Sequence, residues 1–278
     1  MSMKSISQGA IPREVPTFDV HEWSPRQSDY CVAIFVINEN GKLHKQLDRM
    51  KPFANNVDVI IADGGSTDGS VDRSQIEPLG VNTLLVKTGP GKLGSQMRMA
   101  FRWALDRGYR GVIAMDGNNK DGPEAIPEFI RLLEQGYDHV QGSRFIPGGI
   151  SENLPFSRWL GIKILHVPMM RWASRFKYTD TTNGFRAYSS RFLNDPQVQT
   201  FRDIFPGYEL HYYLAVQAAK LGFRVTEIPV ARRYPSSGPV PTKISFVRGN
   251  LNVIKCLYRA CTGYYDPPAS TSIGKGSP

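Results

Sequence analysis

Two aspartates stand where apolar, β-branched runs end. Asp63 follows the run VDVIIA at 57–62 and opens Asp63-Gly64-Gly65-Ser66-Thr67-Asp68-Gly69-Ser70. Glycines let a ligand approach the main chain, so a carboxylate there can accept hydrogen bonds from a base or a ribose. The plainer alternative is a strand-to-helix turn capped by Asp68 or Ser66. Asp116 ends the run GVIAM at 111–115 and opens Asp116-Gly117-Asn118-Asn119-Lys120-Asp121-Gly122-Pro123-Glu124. Oxygen side chains two residues apart suit a hard cation such as Mg²⁺ or Mn²⁺. Such an ion neutralises a diphosphate, as metal clamps do in phosphoryl chemistry. The alternative here is a turn into a helix that begins at proline.

A third segment allows a different chemistry. Gly89-Pro90-Gly91-Lys92-Leu93-Gly94 fits G-x-G-x-x-G between a strand and a helix, with Asp116 22 residues beyond Gly94. That is the context of a dinucleotide fingerprint and of an NAD-linked oxidoreductase. Against it, two strand–helix units precede the turn, whereas the fingerprint marks the first one.

Alternating elements must position these residues. Strands are expected at 31–37, 57–62, 83–87, 111–115 and 139–142, with helices at 41–50, 95–107 and 123–135 between them. The order implies an α/β fold with a mostly parallel, Rossmann-like sheet flanked by helices, its ligand held at the carboxyl ends of the strands. Residues 1–28 read as a mobile arm, 29–235 as the main domain, 236–265 as a basic amphipathic helix and 266–278 as a disordered tail.

Composition narrows the class. The chain has 278 residues, a net charge of +9 and 41% hydrophobic residues, ordinary for a globular core. No apolar run approaches the ~20 residues of a membrane span, and the first residues lack a secretory pattern. Three cysteines are too few for a disulfide scaffold. A reduced cytoplasmic protein is expected. No acid occurs between Glu152 and Asp180, or between Ile228 and Tyr265. In the second window Ile244, Val247, Leu251, Ile254, Tyr258 and Cys261 recur at helical spacing, opposite Arg248, Lys255 and Arg259. Such a helix suits either a core with a solvated basic face or an anionic membrane surface. No nucleic-acid motif accompanies the charge.

Five short segments, in order, resemble the family 2 glycosyltransferases of the GT-A fold. The nearest subgroup is that of dolichol-phosphate mannose synthase and its bacterial polyprenyl-phosphate relatives. Val36-Ile37-Asn38-Glu39 is similar to the P-x-Y-N-E strand end, and Ala62-Asp63-Gly64-Gly65-Ser66-Thr67-Asp68-Gly69 to V-D-D-G-S-T-D-G. Met115-Asp116-Gly117-Asn118 resembles the M-D-A-D metal motif, with Pro123-Glu124 at the matching offset. Gly142-Ser143-Arg144-Phe145 with Gly148-Gly149 resembles G-S-R-Y…G-G, and Asp180 to Tyr188 resembles D-x-x-S-G-F-R-A-Y. The chain departs from the pattern at Gly64 and Asn118, where the family has aspartates. It departs again at Lys120, a cation on the metal side.

The resemblance implies an inverting transfer of a sugar from a nucleotide-sugar donor. Glu39 and Asp63 would hold the nucleoside, and Asp116 with Asn118, through Mg²⁺ or Mn²⁺, the diphosphate. Arg144, Arg158 and Arg186 would meet an acceptor phosphate, Arg186 as a bidentate clamp. A hydroxyl acceptor needs a general base, and Asp121, Glu209 and His211 are each equivocal in that role. A phosphate monoester is already ionised and needs arginines, which favours a polyprenyl-phosphate-like acceptor over a soluble or lipopolysaccharide-type hydroxyl. A peripheral position at the cytoplasmic membrane face, with or without a membrane partner protein, follows from the same reading. A non-catalytic nucleotide-sugar binder is the alternative that Gly64 and Asn118 leave open.

Overall fold

The computed structural model describes residues 14–54, 56–235 and 248–268. Its strands are β1 (Phe18–Glu22), β2 (Tyr30–Val36), β3 (Asp58–Asp63), β4 (Val81–Lys87), β5 (Gly111–Asp116), β6 (His139–Ser143), β7 (Ile150–Glu152), β8 (Arg186–Ser189), β9 (Val225–Pro229) and β10 (Ala231–Arg233). The helices are α1 (Gly41–Met50), α2 (Arg73–Ile76), α3 (Leu93–Asp106), α4 (Ile126–Glu134), α5 (Phe156–Gly161), α6 (Val167–Ser174), α7 (Ser190–Leu193), α8 (Glu209–Lys220) and α9 (Arg248–Cys261). The expected strands and helices as far as β6 are all present. Helix 41–50 matches end to end, and the expected 123–135 becomes a 3₁₀ turn, Pro123–Ala125, followed by α4.

Eight strands form one sheet in the order β1-β4-β3-β2-β5-β8-β6-β9. Strands β2 to β5 are parallel, whereas β8 runs antiparallel between β5 and β6. Two inner strands, β2 and β3, are buried along their whole length, as apolar runs covered on both faces must be. One core lies between the sheet and α3 and α8, where Phe101, Tyr188 and Leu214 pack. The other lies under α1 and α4, with Leu47, Phe129 and Phe185. Strands β7 and β10 form a small separate parallel pair.

Two expected boundaries change. Residues 18–22 are no arm: β1 pairs with β4 from Phe18↔Lys87 to Glu22↔Thr83 and closes that edge of the sheet. Alternating Phe18, Val20 and Glu22 carry too little apolar pattern to announce a strand whose side chains are mostly exposed. The basic helix is present from Arg248, but its buried stripe is shifted from the expected one, which it shares only at Cys261. Cys256, Leu257, Ala260 and Cys261 are buried, whereas Leu251, Ile254 and Tyr258 are exposed. Ile244 and Val247 lie outside the described residues, as do 1–13 and 269–278 of the expected arm and tail.

Candidate active site

The sheet brings the two expected carboxylates together. Val36↔Asp63 and Phe35↔Asp116 are in register on either side of β2, so both aspartates lie at the carboxyl end of adjoining strand pairs. The chain order changes direction here, the place where open α/β sheets bind ligands.

The Asp63 tip is closed upon itself. Asp63 Oδ2 accepts from Gly65 N and Ser66 N at 2.9 Å each, and Oδ1 from Ser66 Oγ at 2.5 Å. Asn38 Oδ1 accepts from Thr67 N, and Ser66 Oγ accepts from Asn38 N, which zips the 38–40 turn to the loop. Asp63 is 1% exposed. It shapes the loop through these three bonds. Gly64 also finds an explanation. A Cβ there would lie 3.0 Å from Gln96 Nε2, the amide that ties Val36 O and Ala62 O together at 2.8 and 2.9 Å. Glu39 is buried and pairs with Lys42 at 3.5 Å.

The Asp116 tip is open and charged. Gly117 N donates to Phe35 O at 3.0 Å, and a Cβ on Gly117 would strike Val36. Asn119 turns through a left-handed conformation (φ 58°), its N–H donating to Gln46 Oε1 at 2.7 Å. Arg232, which the sequence reading missed, bridges the tip: Nη2 lies 2.9 Å from Asp116 Oδ2 and Nη1 2.5 Å from Asp121 Oδ1. Its strand β10 grips the same loop, with Gly122 N donating to Ala231 O and Arg233 N to Lys120 O, both at 2.9 Å. Burial pushes the Asp116 carboxyl up, but Arg232 outweighs it and holds the group below its ordinary value, ionised. Asp121, wholly buried beside that charge, is pushed the other way. Burial, then Arg232, lowers the Lys120 ammonium.

Among the described residues no cluster of three His, Cys, Asp or Glu side chains forms a metal centre. Two neutral donors nevertheless fit a cation beside Asp116. Asn118 Oδ1 and His211 Nδ1 are buried without a hydrogen-bond partner, the state in which a polar atom awaits a ligand. Burial, then Arg186, pushes the His211 pKa down to about 3, so its ring is neutral and its lone pair available. The His211 and Asp116 charges interact. The carboxylate and the amide oxygen suit Mn²⁺ or Mg²⁺ in type, the imidazole favours Mn²⁺ of the two, and the set carries half the charge of a paired-aspartate site.

The arginines divide sharply. Arg186 is 1% exposed and donates to three backbone carbonyls, of Asn183 (2.8 Å), His211 (2.6 Å) and Thr181 (3.0 Å). It braces the loop and helix that carry the site, so the fork expected to clamp a phosphate is engaged with main-chain carbonyls. Arg144 is buried against Asp180, with Nε–Oδ2 at 2.6 Å and Nη2–Oδ1 at 2.9 Å, and also donates to Thr182 Oγ1 and Tyr234 OH. Its fork, expected to meet an acceptor phosphate, is filled by these partners. Arg158 is reachable. It lies partly exposed over the Tyr234 ring at 5.7 Å, with Lys120 over the same ring at 5.4 Å.

The glycine turn binds protein, not dinucleotide. A Cβ on Gly94 would meet Phe205 O and Gly207 O below 3 Å, and Lys92 N donates to Pro206 O at 2.7 Å. The turn presses the 205–207 segment into place ahead of α8, which carries Glu209 and His211. It also follows β4, next to the sheet edge, rather than a strand at the reversal point.

No family model matches the chain. An undecaprenyl-phosphate mannosyltransferase of Micrococcus luteus is 30% identical over 204 residues, 69% of this chain and 79% of that protein. A polyprenol monophosphomannose synthase of Mycolicibacterium smegmatis is 27% identical over 202 residues, 72% and 75% of the two chains. The chain belongs to the polyprenyl-phosphate glycosyltransferases of family 2. The fold of this glycosyltransferase matches a solved GT-A structure, glucosyl-3-phosphoglycerate synthase of Mycobacterium tuberculosis with Mn²⁺, UDP and phosphoglyceric acid. That match has a TM-score of 0.56 and 18% identity, and it covers 94% of this chain and 89% of the other. A glycosyltransferase, rather than a dehydrogenase, is therefore built on this sheet.

Proposed function

We propose that the enzyme transfers a sugar from a nucleoside-diphosphate donor to a polyprenyl phosphate, with inversion. The single observation that carries this reading is the state of the three candidate bases. Asp121 is fully buried and held by Arg232. Glu209 Oε2 accepts from Gly207 N at the start of α8, at 2.5 Å. His211 is buried and barely basic. A hydroxyl acceptor would find no free proton acceptor among them, whereas an ionised phosphate needs none. The names of the two relatives support the same acceptor class.

Attack by an acceptor phosphate oxygen forms the new bond at the anomeric carbon as the bond to the donor diphosphate breaks. The electron pair leaves on the nucleoside diphosphate, and no proton moves. Asp116, Asn118 and His211 would hold a divalent ion. When bound, such an ion neutralises the departing diphosphate. Lys120 and Arg232 add fixed positive charge beside it, and Arg158 faces the acceptor phosphate. The loop shaped by Asp63, with Glu39, borders the nucleoside. Three cysteines, free and buried, support a reducing, cytoplasmic setting. No helix among the described residues is long and apolar enough to cross a membrane, which supports a peripheral position, and a membrane partner protein would serve the same end.

Transfer assays with GDP- and UDP-sugars and a short-chain polyprenyl phosphate test the reading. Label is expected in the lipid phosphate with Mn²⁺ present. Donor binding without transfer to any phosphate acceptor would overturn it in favour of a binding protein.

A further inference from the structure

Residues 156–174 form one continuous helical segment: α5, a single π-helical turn at Ile162–His166, and α6. The turn stands just ahead of Pro168, which has no N–H to continue the ladder. Helix α6 packs on both α8 and α9, and α8 packs on α9. Cys261 Sγ lies 3.9 Å from Met170 Sδ between α6 and α9, and Tyr212 OH of α8 lies 3.4 Å from His166 Nδ1. Because α8 is itself buried against the sheet, α6 and α9 form an outer layer on it. They lie beside each other there, each with one side exposed.

That outer face is apolar. Phe156 is 72% exposed, Trp172 70%, Ile164 67%, Tyr264 64% and Leu251 62%, with Tyr258 close behind. Most of the exposed large apolar side chains among the described residues stand on these helices and the turn after α9. A soluble surface rarely gathers such residues without a partner. Within the two stretches the charge has one sign, and Asp266, just beyond Tyr264, is paired with Lys220. Arg171, Arg175 and Lys177 follow Ile164 on the first segment, and Lys255 stands beside Ile254, in two stretches that hold no acid. The segment also borders the site, where Arg158 reaches Tyr234 and Lys163 lies 4.0 Å from the Phe145 ring.

We infer that the outer face of α5–α6 and α9 docks on an anionic lipid bilayer, which presents a membrane-held acceptor phosphate to Arg158. This rests on the proposed lipid-phosphate acceptor. Aromatic and aliphatic side chains in the headgroup region, flanked by lysine and arginine, are what binding in the plane of a membrane requires. A second copy of the chain carries the same positive face and would be repelled by it.

The full-length protein is floated with vesicles of phosphatidylcholine, with and without phosphatidylglycerol. Binding to the anionic vesicles is expected. The combined Ile164→Ser, Trp172→Ser and Leu251→Ser variant should lose about tenfold or more of it. Lys177→Glu with Lys255→Glu should lose on the order of tenfold, both with unchanged melting. The serine variant should keep wild-type transfer to a water-soluble short-chain acceptor phosphate and lose transfer to a vesicle-embedded one. Equal flotation of wild type and variants, or wild-type dimers that the serine substitutions dissolve, would overturn the inference. Flotation with no transfer to either acceptor would sustain the docking face and overturn the acceptor reading instead.

Discussion

The tips of β3 and β5 carry the same residue type and meet the same strand, yet they do opposite work. At Asp63 every carboxylate oxygen is taken by the loop that follows it. At Asp116 the neighbours are two cations, a buried carboxylate and two polar atoms without partners. A satisfied polar group builds structure, and an unsatisfied buried one beside an ionised carboxylate can take up a ligand. The proposed chemistry rests on the Asp116 tip, whereas the bonds at Asp63 build the loop.

The sharpest way to break that contrast is to neutralise both carboxylates. Asp116→Asn should cut transfer by about a thousandfold, the scale of losing a preorganised electrostatic group, while the melting temperature holds. Asp63→Ala should instead cost about 1–3 kcal/mol of stability, because Gly65 N and Ser66 N lose their acceptor. Denaturant titration and initial rates measured on both proteins decide it. Equal loss of rate with no loss of stability at Asp63 would put Asp63 back among the ligand-contacting residues.

The arginines extend the comparison. Removing Arg186 strands three carbonyls in the core, so Arg186→Met should destabilise the fold by about 3 kcal/mol. At temperatures where the variant remains folded, its KM for the acceptor should be unaltered. Arg158→Ala should leave stability alone and raise the acceptor KM about tenfold, the weight of one charge-assisted contact, with the donor KM unmoved. A donor effect at Arg158 would reassign it to the leaving diphosphate.

Much of this was legible in the residues. The alternation of strands and helices through β6, and the convergence of Asp63 and Asp116, follow from apolar runs ending in turn residues. The roles of the arginines do not. Arg186 is bound by backbone carbonyls, which leave no trace in side-chain spacing, and Arg144 meets Asp180 only after the chain folds back over 36 residues. Arg232 arrives from a three-residue strand 116 positions from Asp116. In α9, Leu251, Ile254 and Tyr258 have the periodicity of a core face. The neighbouring stripe of Val253, Cys256, Leu257 and Ala260 has it too, and only the packing of α6 and α8 decides which is buried.

The smallest effect concerns protons. His139 sits buried in β6, stacked on Tyr188 with ring centroids 5.1 Å apart. Burial, then Arg186, pushes its pKa down to about 3, as happens at His211. In the unfolded chain both titrate near the ordinary 6.5. Above that pH neither state binds the proton, so these groups leave stability unchanged. Between about 6.5 and 3 the unfolded chain gains protons that the native core refuses. Stability should therefore fall on acidification, by about 1.4 kcal/mol per pH unit for each histidine. Burial lowers His166 too, to about 4; His139→Phe keeps an aromatic ring on Tyr188 and removes one of these titrations. Melting followed from pH 7.5 to 4.5 should show a shallower decline for the variant than for the wild type, with the two close together at the upper end. Parallel curves would mean that His139 binds its proton in the folded protein, and that the charge of Arg186 beneath the site is screened more completely than its three carbonyl bonds imply.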